Sequence, residues 1–306
     1  MDATPFKAAS RTSGKAKAKA RLIDGQVGKA DSPKPNLMGL LCEALERPGF
    51  VSGAYSMFHH YSFSNALWVA KQMEERGQAI GPVATFKRWL DLGRRVKKGE
   101  KALCMYMPVS TKPQADTEGA AGEQDGDEPG RRMFFVARHN WFSLGQTEVR
   151  EGGHDNSNAL AETADWSADR ALRALDITRE DFQCTDGNMQ GYATPNMRRI
   201  AISPLAQLPQ KTTFHEIAHV LLHAGEERLV DGAEFGQALR EVEAEATAYL
   251  CCAVLGLHGL DESRGYIQSW MARAATGDLA ERHARRIFSA VERILRAGKP
   301  ADEEQE

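Results

Sequence analysis

Apolar positions along this chain change period several times, and the changes mark out its elements. From Leu37 to Leu45 they recur every three to four residues, as on one face of a helix. Residues 61–73 repeat the pattern, with Phe63, Ala66, Leu67 and Ala70 on one stripe. A short helix is predicted over 85–92, with Gly93 as its C-terminal stop. The spacing then shortens. Strands are predicted at 102–107, closed by Pro108, and at 133–137 and 139–142. Helical spacing returns at 166–175. A turn at 190–196 precedes a strand at 199–203, where Ile200 and Ile202 are β-branched. Further on, Phe214, Ile217, Val220, Leu221 and Leu222 make a helix apolar almost all round, with Thr212 and Thr213 available as caps. Residues 241–248, 266–274 and 281–295 read as further helices. Together these elements make an α+β chain.

Four segments lack such patterning. Residues 1–35 carry eight basic residues against three acidic ones and few apolar groups, which predicts a disordered basic arm. Such an arm serves equally as a solubilising tail or as a non-specific phosphate contact. Residues 111–130 are acidic and read as a flexible loop between two strands. A Gly- and Asn-rich stretch at 149–158 reads as a linker, and 298–306 as an acidic tail. Two domains are therefore expected, at 36–148 and 159–297. The first is an α+β unit. The second is mostly helical with a small sheet, and neither should need the other to fold.

Composition narrows the class. The chain has 306 residues and 42% hydrophobic content, enough for two ordinary domains. A net charge of −3 names no partner by itself. No apolar run is long enough to span a bilayer, and the N-terminus lacks the apolar core of a signal peptide. Cys42, Cys104, Cys184, Cys251 and Cys252 are odd in number, irregular in spacing and without a C-x-x-C pair. Neither a zinc ribbon nor a disulfide framework is indicated, and a reducing cytoplasm is the expected compartment.

Local charge adds more. Residues 55–101 hold nine basic and four acidic residues, together with Tyr55, Tyr61, Phe63, Trp68, Phe86 and Trp89. Cations follow a phosphate backbone, and exposed rings stack on unpaired bases. Lys87, Arg88, Trp89, Arg94, Arg95, Lys97, Lys98 and Lys101 are the candidate contacts. Single-stranded nucleic acid suits this mixture better than duplex, since no recognition-helix motif is evident. The competing reading is that the aromatics are core and the cations a solvated face.

The densest chemical signal is His215-Glu216-Ile217-Ala218-His219, an H-E-x-x-H run. Residues four apart on a helix share a face, so two imidazoles can address one metal ion. Glu216 beside them is placed to hold and deprotonate a metal-bound water, as in a zinc peptidase. A third ligand is needed. His223 lies eight residues after His215, about 12 Å along the axis, too far to converge with both. Glu241, Ala244, Glu245 and Ala248 form a stripe whose alanines allow close packing on the His helix. Glu241 is the favoured ligand, with Glu245 the alternative. If Glu241 binds, Glu245, one turn on, is the candidate to accept a hydrogen bond from a ligand His, and Glu243 points away from that stripe. Tyr192 is a candidate oxyanion stabiliser. The strand at 200–202 reads equally as an ordinary structural strand or, as in the peptidases that this H-E-x-x-H pattern resembles, as a sheet edge near the cleft on which an extended peptide pairs.

The local text TTFHEIAHVLLH…EVEAEATAYLCCAVLGL resembles gluzincin peptidases of the ImmA/IrrE branch and, more closely, the C-terminal domain of ArdC-type antirestriction proteins. YSFSNALWVAKQ, GPVATFKRWLDLGRRVKKGEKALCMYMP and NWFSLGQTE look like the N-terminal domain of the same family, in the same order. That resemblance implies a single-stranded-DNA-binding domain followed by a zincin-like domain carrying one Zn2+ per chain. It implies an antirestriction role. The zinc site points to peptide hydrolysis, aimed at a DNA-associated protein or at the chain itself. Two other functions fit the same domains: DNA protection by binding alone, with a structural or cryptic zinc domain, and cleavage of DNA–protein crosslinks.

Overall fold

Three helices open the fold, each with an identifiable start. This computed structural model describes residues 35–58, 61–111, 132–152, 154–157, 165–184, 188–225, 233–257, 260, 264–265, 267 and 278–300. The helices are α1 (Leu37–Glu46), α2 (Pro48–Phe58) and α3 (Phe63–Glu75). Asn36 caps α1 by accepting from the Gly39 N–H at 2.8 Å. Pro48 begins α2, where a missing N–H is no loss. Ser62 caps α3. β1 (Val83–Thr85) runs into α4 (Phe86–Asp91), and β2 (Arg94–Val96), β3 (Leu103–Thr111), β4 (Arg132–Ser143) and β5 (Thr147–Val149) follow. The second half comprises α5 (Ala168–Ala174), β6 (Thr178–Arg179), β7 (Gly191–Thr194), β8 (Arg199–Ile202), α6 (Pro209–His223), α7 (Ala233–Val254) and α8 (Asp278–Ala297). The α+β expectation holds. No helix of the described residues is long and apolar enough to cross a membrane.

The strands form three small sheets, ordered β1-β4-β3, β2-β5 and β6-β8-β7. The two strands predicted at 133–137 and 139–142 are one. β4 runs unbroken, and a register shift opposite Leu103 and Cys104 leaves Asn140 as the extra residue. Pro108 does not close β3 but sits inside it, opposite Phe135. β3 is an edge strand, so an absent N–H is tolerated on its outer side. That outer side is met by α3. The Asn65 carboxamide donates to the Tyr106 carbonyl and accepts from its N–H, both at 2.9 Å. The Gln72 carboxamide does the same with Cys104, at 2.8 and 2.9 Å.

Two other predicted features shift. Residues 190–196 are β7 and a 3₁₀ turn rather than a plain turn. Thr212 and Thr213 do not cap α6. The helix starts earlier, with Pro209 in its first turn, and both hydroxyls donate back to the Leu208 and Pro209 carbonyls. Segments 1–34, 112–131 and 301–306 lie outside the described residues, as does most of the helix predicted at 266–274.

The expected independence of the two halves is not what the packing gives. Leu41, Phe63 and Leu67 belong to the same buried cluster as Phe214, Tyr249 and Val291. Phe63 and Phe288 rings lie 5.5 Å apart, and the Tyr249 hydroxyl donates to the Leu45 carbonyl at 2.9 Å. Helix α8 also completes helices of the first half. Its Glu281 accepts from the Leu37 and Met38 N–H groups, and its Glu292 from the Phe63 N–H. These carboxylates satisfy donors that a helix start leaves unpaired. Described residues of the 149–158 stretch are docked as well. Arg150 and Asn156 N–H groups donate to Gly93 and Leu92 carbonyls, and Arg94 pairs with Asp155. Gly93 has φ 81°, and a Cβ there would meet the His154 carbonyl oxygen at 2.0 Å. The division at 149–158 therefore separates two stretches of sequence, while the core continues across it.

A fragment covering 36–148 is expected to lose its cooperative thermal transition, because α1–α3 would expose the face that α7 and α8 cover. Near-ultraviolet circular dichroism against the full chain is the measurement. A fragment melting as sharply as the full chain would contradict the shared core.

Candidate metal centre

Helix α6 sets His215 and His219 one turn apart, and α7 lies against it. The His215 and His219 Nε2 atoms are 3.1 Å apart. Glu241 Oε2 lies 3.4 Å from the first and 3.6 Å from the second. These residues form the group among the described residues that could hold a metal ion. Ligands bonded tetrahedrally at about 2.0–2.1 Å are about 3.3 Å from one another, so the triangle fits.

Hydrogen-bond direction tests the fit independently. His215 Nδ1 faces Glu245 Oε2 at 3.1 Å. A carboxylate only accepts, so that nitrogen carries the proton and Nε2 presents a lone pair. His223 Nε2 faces Glu243 Oε2 at 3.0 Å, and its Nδ1 faces His219 Nδ1 at 3.0 Å. With neutral rings, His223 then accepts and His219 donates, leaving the His219 Nε2 lone pair free of its proton. With both rings neutral and so oriented, two imidazole lone pairs and one carboxylate converge on one point. A divalent first-row cation satisfies such a donor set.

Without an ion the same groups hold protons. Burial lowers the His215 pKa, but Glu241 and Glu245 raise it to about 9, so a bound cation would displace the proton that His215 Nε2 shares with Glu241. Hydrogen bonding from His215 and His219 holds Glu241 far below the usual carboxylate range. Glu216 is buried and its pKa is raised, chiefly by burial and against the pull of both histidines. Glu245, placed by the sequence beside a ligand His, does meet His215 and is held in turn by Lys211 Nζ at 2.8 Å.

A cleft of about 500 Å³ opens over these groups, lined also by Gly191, Tyr192, Asn196 and Arg240. Tyr192 thus reaches the cleft, its ring 5.7 Å from Phe182. The strand beside the cleft is β7, not residues 200–202. β8 is paired on both sides, whereas β7, among the described residues, keeps one edge without a strand neighbour. Sequence reasoning missed Gly191, where a Cβ would come within 2.8 Å of Thr212 Cγ2 and 2.9 Å of Glu216 Oε1. It also missed Glu243. That residue does point away from the cleft, but it is buried against His223 and His283.

The nucleic-acid candidates divide. Trp89 is fully buried, and its indole N–H donates to the Phe142 carbonyl at 2.8 Å. Arg94 is buried too, bonded to Thr147 and Asp155. Neither can meet a nucleic acid as placed; their aromatic and cationic chemistry serves the packing of α4 and β2. Lys87, Arg88, Lys98 and Lys101 are exposed, as is Phe86. Arg95 is exposed but paired with Glu148, and Lys97 Nζ donates to the Gly145 carbonyl.

Comparison with known proteins fits this division of the chain. Residues 44–142 match the family described as the N-terminal domain of anti-restriction factor ArdC. Residues 173–254 match the IrrE N-terminal-like domain, Peptidase_M78. The chain joins an ArdC N-terminal domain to an IrrE-like domain. The IrrE-like match contains His215, Glu216, His219 and Glu241, whereas α8 lies beyond both matches. The uncharacterized protein y4eC of Sinorhizobium fredii (strain NBRC 101917 / NGR234) is 26% identical over 223 residues, 67% of each chain. The metal-free crystal structure of the antirestriction ArdC protein from the R388 plasmid is 16% identical, with a TM-score of 0.47 over 87% of this chain and 96% of that one. Its Mn(II)-bound form is 18% identical, with a TM-score of 0.48 over 89% and 100%.

Gly191→Ala should destabilise the fold by about 1–3 kcal/mol, because β7 has no room for a methyl over α6. Urea unfolding measures it. An unchanged midpoint would mean that β7 yields without resistance.

Proposed function

We propose that the chain is a zinc-dependent peptidase joined to a single-stranded-DNA-binding module. The observation that carries the enzymatic half is the convergence of His215, His219 and Glu241 beside a buried Glu216 in an open cleft. His215 and His219 through Nε2, with the Glu241 carboxylate, would hold one Zn2+ per chain. When bound, the metal supplies a Lewis acid that activates water and polarises a peptide carbonyl. Glu216, with its raised pKa, takes the proton from the attacking water and passes it to the leaving amine. Tyr192 lines the same cleft, and its hydroxyl would be the donor to the developing oxyanion. The open edge of β7 offers backbone hydrogen bonds to an extended peptide without demanding sequence, which suits a protein substrate.

Support for the DNA half is the match to the ArdC N-terminal domain and the exposed Lys87, Arg88, Lys98 and Lys101, the first two following exposed Phe86 in sequence. Cations at these positions pair with phosphates, and a ring beside them can stack on an unpaired base. The antirestriction role attached to ArdC would follow from coating single strands. A peptidase directed at a DNA-associated protein would need the same module.

Elemental analysis is expected to find about one zinc in the parent chain and in Glu216→Ala, and little in His215→Ala, His219→Ala or Glu241→Ala. Equal zinc in all five removes the site. Proteomic comparison of cells making the parent or Glu216→Ala should then reveal cleavage products confined to the parent; identical peptide termini would leave binding as the whole function.

The full chain should prefer single-stranded over duplex DNA, with affinity falling as salt rises. Replacing Lys98 and Lys101 by Ala should flatten the salt slope by about 0.7 for each phosphate no longer neutralised. A slope unchanged in that double variant would exclude this face. Trp89→Ala, by contrast, should cost about 3–5 kcal/mol of stability.

A further inference from the structure

Behind the metal centre lies a buried polar chain that the proposed chemistry does not use. His219 Nδ1 meets His223 Nδ1, His223 Nε2 meets Glu243 Oε2, and Glu243 Oε1 meets His283 Nδ1 at 2.6 Å. Arg286 Nε stands 3.7 Å from the same oxygen. The chain crosses three helices, from α6 to α7 to α8. The Glu243 side chain is 2% exposed, that of His223 3% and that of His283 8%. A carboxylate at such depth is costly unless donors surround it. Here two imidazole N–H groups and a guanidinium do so.

We propose that His223 and Glu243 are positioning residues that fix His219 as an Nε2 ligand. The inference rests on the metal reading above and deepens it. The direction of each hydrogen bond follows from the far end. Glu243 accepts from both sides, so His223 carries its proton on Nε2 and offers Nδ1 as an acceptor. His219 must then carry its proton on Nδ1, which points its Nε2 lone pair toward His215 and Glu241. The ring also cannot rotate about χ2 without breaking that bond. His215 has its own support in Glu245 and Lys211, so each histidine ligand is oriented by a separate carboxylate of α7. For His219 the carboxylate acts through a second imidazole, because Glu243, two residues from Glu241, lies on another face of α7 and meets His223 instead. The outer anchor, His283, comes from a helix beyond the matched peptidase domain. The orientation of His219 therefore depends on how α8 is seated.

Such supporting partners typically change metal affinity by about 10–100-fold. Competition titration of zinc on the full chain should show that loss for Glu243→Gln and for His223→Phe. Glu243→Asp should recover part of it. A purely structural role would leave the tautomers unspecified. Histidine ring ¹H–¹⁵N spectra of the zinc-loaded parent chain should therefore show protons on His219 Nδ1 and His223 Nε2. A His223 proton on Nδ1 in that spectrum overturns the inference, whether or not the variants fold. So does zinc affinity within twofold of the parent in both well-folded variants. If the parent itself binds no divalent ion, the metal reading fails and the positioning role goes with it. If the parent binds zinc through the three ligands but ignores Glu243, only the positioning role fails.

Discussion

A carboxylate can sit inside a protein only where donors come to meet it. Helix α7 presents three at alternating positions, and each is answered from a neighbouring helix. Glu241 meets the Nε2 atoms of His215 and His219, Glu245 meets His215 and Lys211, and Glu243 meets His223 and His283. These contacts fix the rotation of α7 against α6 and α8. If α7 were turned by one residue, a charged group would face the core and a small residue the cleft. The buried small residues Ala244, Ala246 and Ala248 let the helices approach closely enough for every pair to form.

The same packing sets the relation between the halves. Helix α8 covers α7, and it also supplies the carboxylates that finish the starts of α1 and α3. The stretch matched to an ArdC N-terminal domain and the stretch matched to an IrrE-like domain therefore share one hydrophobic interior. Within residues 35–306 the structure is one compact unit. The starts of α1 and α3 are tied to the helix behind the metal centre.

Much of this was legible in the sequence where spacing alone carries the information. The four-residue step from His215 to His219 and the stripe holding Glu241 and Glu245 survive intact, because helical geometry decides them. The rejection of His223 as a ligand agrees with the geometry, but its actual partner was not legible. Glu243 becomes meaningful only once α8 arrives from about 40 residues away in sequence. Composition misled for Trp89 and Arg94, since a basic and aromatic stretch does not say which members face inward. Thr212 and Thr213 are good capping residues in isolation, yet Pro209 starts the helix first and turns both into interior residues. Pro108 read as a strand end because its side of the ladder could not be known.

The outer edge of β3 is sealed, and the seal matters beyond packing. Its outward-facing backbone groups are taken at Cys104 by Gln72 and at Tyr106 by Asn65. Two residues further on, at the same parity, stands a proline with no N–H to offer. Three successive rungs are thus denied to any incoming chain. Exposed edges invite self-association, and a nine-residue strand would be a long invitation. Two carboxamides and one imino acid withdraw it without adding a strand or a charge. β7 borders the cleft, and among the described residues its outer edge has no strand neighbour. Of these two edge strands, one is sealed by side chains and the other runs along the wall of a cavity.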